Sequence, residues 1–189
     1  MSSLPFPLAG NVLVVGPSQV GKTTTTARAL EAWIAQKGTA GVVVLDFAPE
    51  IEVDDRVLGG RITRFTRVPD DVWHGILDAH APRAESDGDV DEAVRLAADN
   101  ARRADRLLGA APSSPRAVFV NDATIPFQHD LGDPDRLLTY ADRAEVAVVN
   151  AFESDELGVD DPVSRHERGV LEAFRRWADR VVELPIPRE

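Results

Sequence analysis

The chain has 189 residues, of which 43% are hydrophobic and 28% are charged; this balance is typical of a globular protein and argues against a disordered chain. Its 32 acidic residues outnumber 21 lysines and arginines, and the net charge of -11 disfavours a nucleic-acid partner or an anionic membrane surface. The absence of cysteine excludes disulfides, thiolate metal ligands and thiol catalysis.

The length fits one domain, so we expect residues 1–189 to form a single unit. The opening segment, MSSLPFPLAG, lacks the basic region and the apolar run of a signal peptide. No stretch approaches the ~20 apolar residues that a membrane-spanning helix needs. These features predict a cytoplasmic protein with no membrane partner.

Short runs of apolar, mostly β-branched residues predict strands. They are apolar throughout rather than alternating, as expected for strands that are buried on both faces of a parallel sheet. The runs cover residues 11–15, 41–46, 61–65, 116–122, 145–150 and 180–185.

Helical segments separate most of these runs. Gly38 is expected to end the first helix, Asp133 to cap another, and Ser164 with Glu167 to form a capping box for the last. The segments are 23–36, a helix around Val72, 90–108, 133–141 and 164–178. Because strands and helices alternate, we expect an α/β fold: a three-layer α/β/α sandwich around a mostly parallel sheet.

The segment GPSQVGKT, Gly16 to Thr23, fits the pattern GxxxxGK(S/T) and lies between a predicted strand and a helix. Gly16 and Gly21 allow backbone N–H groups and the helix N-terminus to face an anion. Lys22, one of two lysines in the chain, is expected at the loop surface, where it would reach the β- and γ-phosphates. A glycine turn with an incidental lysine is the alternative.

In this interpretation the Thr23 hydroxyl ligates Mg²⁺ and Thr24 bonds an α-phosphate. Thr25 and Thr26 could simply pack. The expected nucleotide contacts are Gly16, Pro17, Ser18, Gln19, Val20, Gly21, Lys22, Thr23 and Thr24.

Two aspartates end predicted strands. Asp122 ends AVFVND and resembles a Walker B aspartate that would hold Mg²⁺ from a strand beside the one before the glycine loop. Asp46 ends VVVLD in the same way, and ligands bind at the carboxyl ends of parallel strands. We predict Lys22, Asp122 and Asp46 as catalytic residues, and Thr23 with Asp122 as metal ligands. A turn-forming aspartate after a strand is the alternative for each.

The pattern GPSQVGKTTTT, helix, strand, Asp resembles signal-recognition-particle-type GTPases and their relatives over about the first 50 residues. Pro17 stands where Min- and Par-type ATPases carry a lysine. The guanine motif NKxD of those GTPases has only Asn150 and Glu153 as counterparts in VVNAFE.

The order of elements resembles corrinoid adenosyltransferases over most of the chain, through DVDEAVRLAADNARRADRLL, VFVNDATI, VAVVNAFE and ADRVVEL. The acidic motif is NDA where that family has DE. Polynucleotide kinases with a GPxxVGK(S/T) loop are also similar at the loop and at LDFAPE.

These resemblances imply a P-loop NTPase fold and a Mg²⁺-dependent, ATP-binding enzyme that hydrolyses ATP or transfers a phosphoryl or adenosyl group to a small-molecule acceptor. The alternative is an ATP- or GTP-operated switch acting on a protein partner. The polar segment 80–90 is predicted to be mobile, either as a lid that brings Arg83 to the phosphates or as a connector with Arg83 paired to Glu85 or Asp87.

Overall fold

The computed structural model describes the backbone of residues 4–53, 56–58 and 60–185. The strands are β1 (Gly10–Gly16), β2 (Val42–Asp46), β3 (Ile51–Val53), β4 (Arg56–Leu58), β5 (Trp73–Ile76), β6 (Ala117–Asn121), β7 (Val146–Phe152) and β8 (Arg180–Glu183). The helices are α1 (Lys22–Lys37), α2 (Pro82–Glu85), α3 (Val90–Ala110), α4 (Pro134–Ala141) and α5 (Pro162–Trp177).

Six strands form one parallel sheet in the spatial order β5-β2-β6-β7-β1-β8, while β3 and β4 pair as a separate antiparallel hairpin. Helices cover both faces of the sheet, so the expected α/β/α sandwich is confirmed. Alternate residues of β1 enter opposite cores: Leu13 and Val15 pack with α4 and α5, and Val12 and Val14 pack with α1. All four are almost completely buried, which explains why this strand is an unbroken apolar run.

The sheet order corrects one expectation. Asp122 follows β6, and β7 lies between β6 and β1, so the aspartate's strand is not beside the strand that precedes the glycine loop. A side chain at the end of β6 must therefore extend past the end of β7 to approach the loop that follows β1.

Two predicted elements are wrong. The run 61–65 is not a strand: Ile62–Arg64 forms a 3-10 turn, and the backbone N–H of Ile62 donates to the buried carboxylate of Asp46. Val72 does not lie in a helix but directly precedes β5, a short edge strand. The segment WHGI has no apolar run because it is the last strand of the sheet and is only partly buried.

Two of the predicted helix ends are confirmed and one predicted cap is wrong. Asp133 caps α4 as expected and accepts from the N–H of Asp135, and Gly38 ends α1. The capping box at Ser164 and Glu167 is wrong, because α5 starts earlier and Asp161 accepts from the N–H of Ser164. Both Ser164 and Glu167 instead turn inward and are buried.

Within the described part of the chain, no helix combines the length and the apolar character that a membrane crossing requires.

Candidate functional site

The loop between β1 and α1 curls back on itself at two glycines. At Gly16 (φ +153°) a Cβ would stand 2.3 Å from the carbonyl oxygen of Leu184, so only glycine allows the residue that follows β8 to approach so closely. Gly21 has φ +97° and immediately precedes α1. The Lys22 ammonium group bonds the carbonyl oxygen of Pro17 across the loop. The glycines therefore close the loop around the start of α1.

The threonines after Lys22 have different partners. Thr25 and Thr26 donate to the carbonyl oxygens of Gly21 and Lys22, at 2.9 and 3.1 Å, within the first turn of α1. Thr23 turns the other way, and its hydroxyl donates to Oδ1 of Asn121 at 3.0 Å.

Asn121 is the centre of a buried polar network. Its Nδ2 donates to Asp46 Oδ1 at 2.9 Å and to the Gly60 carbonyl at 2.8 Å. Its Oδ1 accepts from Thr23 and from Asn150 Nδ2, so all four hydrogen-bonding positions of the amide are used. Because buried amides need every partner, this network fixes the orientation of Asn121.

Asn150 continues the network towards the cleft edge. Its Nδ2 also donates to Thr26 Oγ1 at 2.8 Å, and its Oδ1 accepts from the backbone N–H of Asp122 at 2.9 Å. The side chain is completely buried and internally bonded, so it cannot contact a nucleotide base. The partial likeness of this position to a guanine-recognition motif therefore has no support from its location.

Asp46 lies behind Asn121, in register with it on the neighbouring strand. Its carboxylate is completely buried and accepts from Asn121 and from the N–H of Ile62, with His74 Nε2 at 3.7 Å. It does not line the cleft described below. The catalytic role expected for Asp46 stays a prediction, and its position favours a positioning role through Asn121.

Asp122 occupies an unusual backbone position, with φ +53° directly after β6. Its side chain is partly exposed in the cleft. Burial raises the pKa of this carboxyl to about 6; the positive charge of Lys22 opposes the shift, and the carboxylates of Asp46 and Glu167 add to it. A strained backbone and a raised pKa are features of functional sites.

Lys22 is only 7% exposed, which corrects the expectation of a surface position. Burial lowers the pKa of its ammonium group, while the carboxylates of Asp122 and Glu156 act in the opposite direction. Its Nζ also lies 5.9 Å from the ring centre of Phe152. A desolvated cation of this kind gains strongly from an entering anion.

Arg83, on α2, is held by two side chains of α5. Its Nη1 lies 2.7 Å from Glu167 Oε2 and donates to Ser164 Oγ at 3.0 Å, and its guanidinium lies 5.7 Å from the Phe152 ring centre. Glu167 accepts in addition from Thr124 and Gln128. Pairing of Arg83 with Glu85 or Asp87 is therefore wrong.

Lys22, Asp122 and Arg83 line one cleft of about 710 Å³ at the carboxyl edge of the sheet, a volume within the usual range of small-molecule sites. Of the predicted contacts, Gly16, Pro17 and Val20 are not among its lining residues. The predicted residues that do line it are Ser18, Gln19, Gly21, Lys22, Thr23, Thr24 and Asp122.

Among the described residues, no group of three or more His, Asp or Glu side chains is placed to hold a metal ion. Mg²⁺ in phosphate-binding enzymes commonly takes one or two protein oxygens and completes its shell with phosphates and water. The hydroxyl of Thr23 and the carboxylate of Asp122 are oxygen donors of that kind, and both line the cleft.

The sequence interpretation missed Asn121, Phe152, Glu156 and Glu167 as parts of the site. The sequence does contain a signal for Asn121. The apolar strand AVFVND ends on two polar residues, Asn121 and Asp122, and the first of them still belongs to the buried strand. The sequence contains no such signal for Glu167, because this residue meets Arg83 only in the folded chain.

No family model matches this chain, and no curated protein matches its sequence. Its function must therefore be inferred from the site itself.

Proposed function

We propose that this protein is a Mg²⁺-dependent, ATP-binding enzyme that hydrolyses ATP or transfers a phosphoryl or adenosyl group to a small molecule. One observation carries the proposal: Lys22 and Asp122, a desolvated cation and a carboxyl with a raised pKa, face the same cleft at the start of α1. A cleft at the carboxyl edge of a parallel sheet is where α/β proteins bind nucleotides.

The triphosphate would bind at the β1–α1 loop. Backbone N–H groups of the loop and the positive end of the α1 dipole attract phosphate oxygens. Lys22 would exchange its bond to the Pro17 carbonyl for a charged phosphate partner and so regain part of the solvation that burial removes.

Thr23 and Asp122 would hold Mg²⁺, which on binding supplies positive charge to the phosphate oxygens. Thr23 directs its proton to Asn121, and this leaves the lone pairs of the hydroxyl oxygen available to a cation. Asn121 keeps that orientation because Asp46 and Gly60 hold its amide group. The network thus prepares the threonine hydroxyl as a ligand.

Arg83 is the second cation of the cleft. Glu167 and Ser164 hold it through Nη1, and no hydrogen bond to a described residue uses Nη2 or Nε. Those N–H groups are positioned to bind negative charge on a phosphate or an acceptor. Ile125 and Phe65 also line the cleft, so it offers apolar surface beyond the charged loop.

The substitution Asp122→Asn tests the metal role. We expect the variant to bind ATP in EDTA at least as tightly as the wild type, but to lose the affinity that Mg²⁺ adds and to lose turnover. Asp130→Asn, an exposed change in the same β6–α4 loop, is the matched control and should behave like the wild type. Equal loss of affinity with and without Mg²⁺ would instead indicate that Asp122 supports the fold.

A nucleotide-operated switch is the second candidate, favoured by a contact that ties the β1–α1 loop to the β7–α5 loop: the N–H of Ser18 donates to Glu156. The two candidates differ in what consumes ATP. A transferase uses ATP only when its acceptor is present and a hydrolase turns ATP over steadily without one, whereas a switch hydrolyses ATP slowly and changes its protease sensitivity with nucleotide alone. ATP loss from purified protein, with and without a protein-free cell extract, distinguishes them.

A further inference from the structure

One carboxylate already occupies the β1–α1 loop. The backbone N–H of Ser18 donates to Oε1 of Glu156 at 2.7 Å, across 138 positions of the chain. Glu156 belongs to the loop between β7 and α5, and both residues line the 710 Å³ cleft. The bond is charge-assisted, because the acceptor is an ionised carboxylate.

The same carboxylate acts on the lysine of the loop. Glu156 is one of two carboxylates whose charge opposes the lowering of the Lys22 pKa by burial. Glu156 thus interacts with an N–H and with the cation that the proposed function assigns to phosphate.

We propose that Glu156 is an internal anion at the nucleotide site, which the triphosphate must displace, and that its displacement releases the β7–α5 loop. The proposal rests on the proposed function. A phosphate group offers more negative charge than one carboxylate, so ATP outcompetes Glu156 while losing part of its binding free energy to the exchange.

The exchange needs no rearrangement of the core. Glu156 and the following residue, Leu157, are exposed, and Leu157 keeps 47% of its surface accessible. The next residue, Gly158, has φ +101°, a conformation that leaves this part of the loop with a sharp turn. Asp155, just before Glu156, pairs with Arg168 of α5, so the part of the loop that displacement of Glu156 releases is residues 156–158.

Movement of this loop would change the wall of a second cavity. This cavity, of about 270 Å³, lies between the β7–α5 loop and α5, and Ser154, Asp155 and Gly158 form part of its wall. It shares Arg83, Phe152 and Glu167 with the nucleotide cleft. Replacement of Glu156 by a phosphate at the Ser18 N–H would thereby couple nucleotide binding to the shape of the neighbouring cavity.

Binding of ATP and of inorganic tripolyphosphate to the wild type, Glu156→Gln and Asp160→Asn tests the proposal. Tripolyphosphate has no base, so any effect on it arises at the phosphate site. Asp160→Asn removes the same charge from the same exposed loop. We expect Glu156→Gln to bind both probes about three- to tenfold more tightly than the wild type, the effect of one exposed charge-assisted bond, and Asp160→Asn to bind unchanged.

Hydrogen exchange gives an independent readout. In the wild type, ATP should accelerate amide exchange at residues 156–158, and in Glu156→Gln these amides should exchange faster than in the wild type without ATP, because glutamine accepts only a neutral hydrogen bond from Ser18. Equal or weaker binding by Glu156→Gln, an equal gain in Asp160→Asn, or slower exchange of the loop with ATP would overturn the internal anion and leave ATP binding intact. Absence of binding by all three proteins would overturn the proposed function as well.

Discussion

The hydroxyl of Thr23 lies 3.0 Å from Oδ1 of Asn121, and this bond joins the first turn of α1 to the end of β6. Asn121 in turn donates to the buried carboxylate of Asp46, so a proposed metal ligand in the cleft depends on two side chains that do not line it. Asn121 and Asp46 sit directly opposite each other on paired strands, so we expect a replacement of either to disturb the other.

Asn121→Asp should destabilise the protein by about 3 kcal/mol at pH 7.5, because the new carboxylate can no longer donate to Asp46 and the two buried charges repel. Urea denaturation at pH 7.5 measures the loss.

The matched control is Asn11→Asp, since Asn11 also donates its amide to an aspartate, Asp142, but at an exposed position. Its cost should stay below about 1 kcal/mol. Equal costs at the two positions would contradict the idea that burial of the network matters.

Asp122→Asn should stabilise the folded protein at pH 7.5. The folded pKa of about 6 lies above the ordinary value of 3.8, so the stability gained by holding the proton is present below pH 3.8 and is lost as pH rises through 6. Asparagine removes that loss, by at most about 3 kcal/mol at neutral pH and by only about 0.6 kcal/mol at pH 4.

Urea midpoints at pH 4 and pH 7.5 measure this difference. A variant that is less stable at both pH values would show that the carboxylate supports the fold. The expected gain agrees with the common finding that functional groups are maintained at a cost in stability.

Glu167→Gln should loosen the segment around α2. Arg83 is held by Glu167 and Ser164, and its side chain is only 16% exposed, so trypsin should cut slowly after Arg83 even without nucleotide. The neutral variant weakens that ion pair and should speed the cleavage several-fold. Glu172→Gln, an exposed change on the same helix, is the control and should cut like the wild type.

Fast cleavage of the wild type after Arg83 would favour the mobile segment expected from the sequence. Arg83→Ala should lower turnover more than ATP affinity if Arg83 binds the charge that develops during transfer. The variant should stay folded, because Thr124 and Gln128 still donate to one oxygen of Glu167.

The sheet was largely predictable, because β1, β2, β6 and β7 are buried on both faces and their sequences are apolar throughout. β5 was not, since an edge strand is covered on fewer sides and tolerates the histidine and glycine of WHGI. Arg61–Phe65 looked like a strand, yet Ile62 is its only buried residue. A turn can bury a single side chain as well as a strand can.

The position of the glycine loop between β1 and α1 was predictable because its pattern is local in sequence, whereas the burial of Lys22 was not. The start of α5 could also have been found, since Asp161 before Pro162 repeats the Asp133–Pro134 pattern that starts α4. The partners of Arg83 and Ser18 could not, because Glu167 and Glu156 come from distant segments that only the fold brings to the cleft.

Titration calorimetry of MgATP into the wild type, Lys22→Ala and Lys37→Ala tests ATP binding at the β1–α1 loop most directly. Lys37, the other lysine, ends α1 at an exposed position and does not line the cleft. We expect Lys22→Ala to stay folded and to bind about ten- to a hundredfold more weakly than the wild type, the value of a charge-assisted bond to phosphate, while Lys37→Ala binds normally. Wild-type affinity in Lys22→Ala, or no binding of ATP by the wild type, would contradict the account.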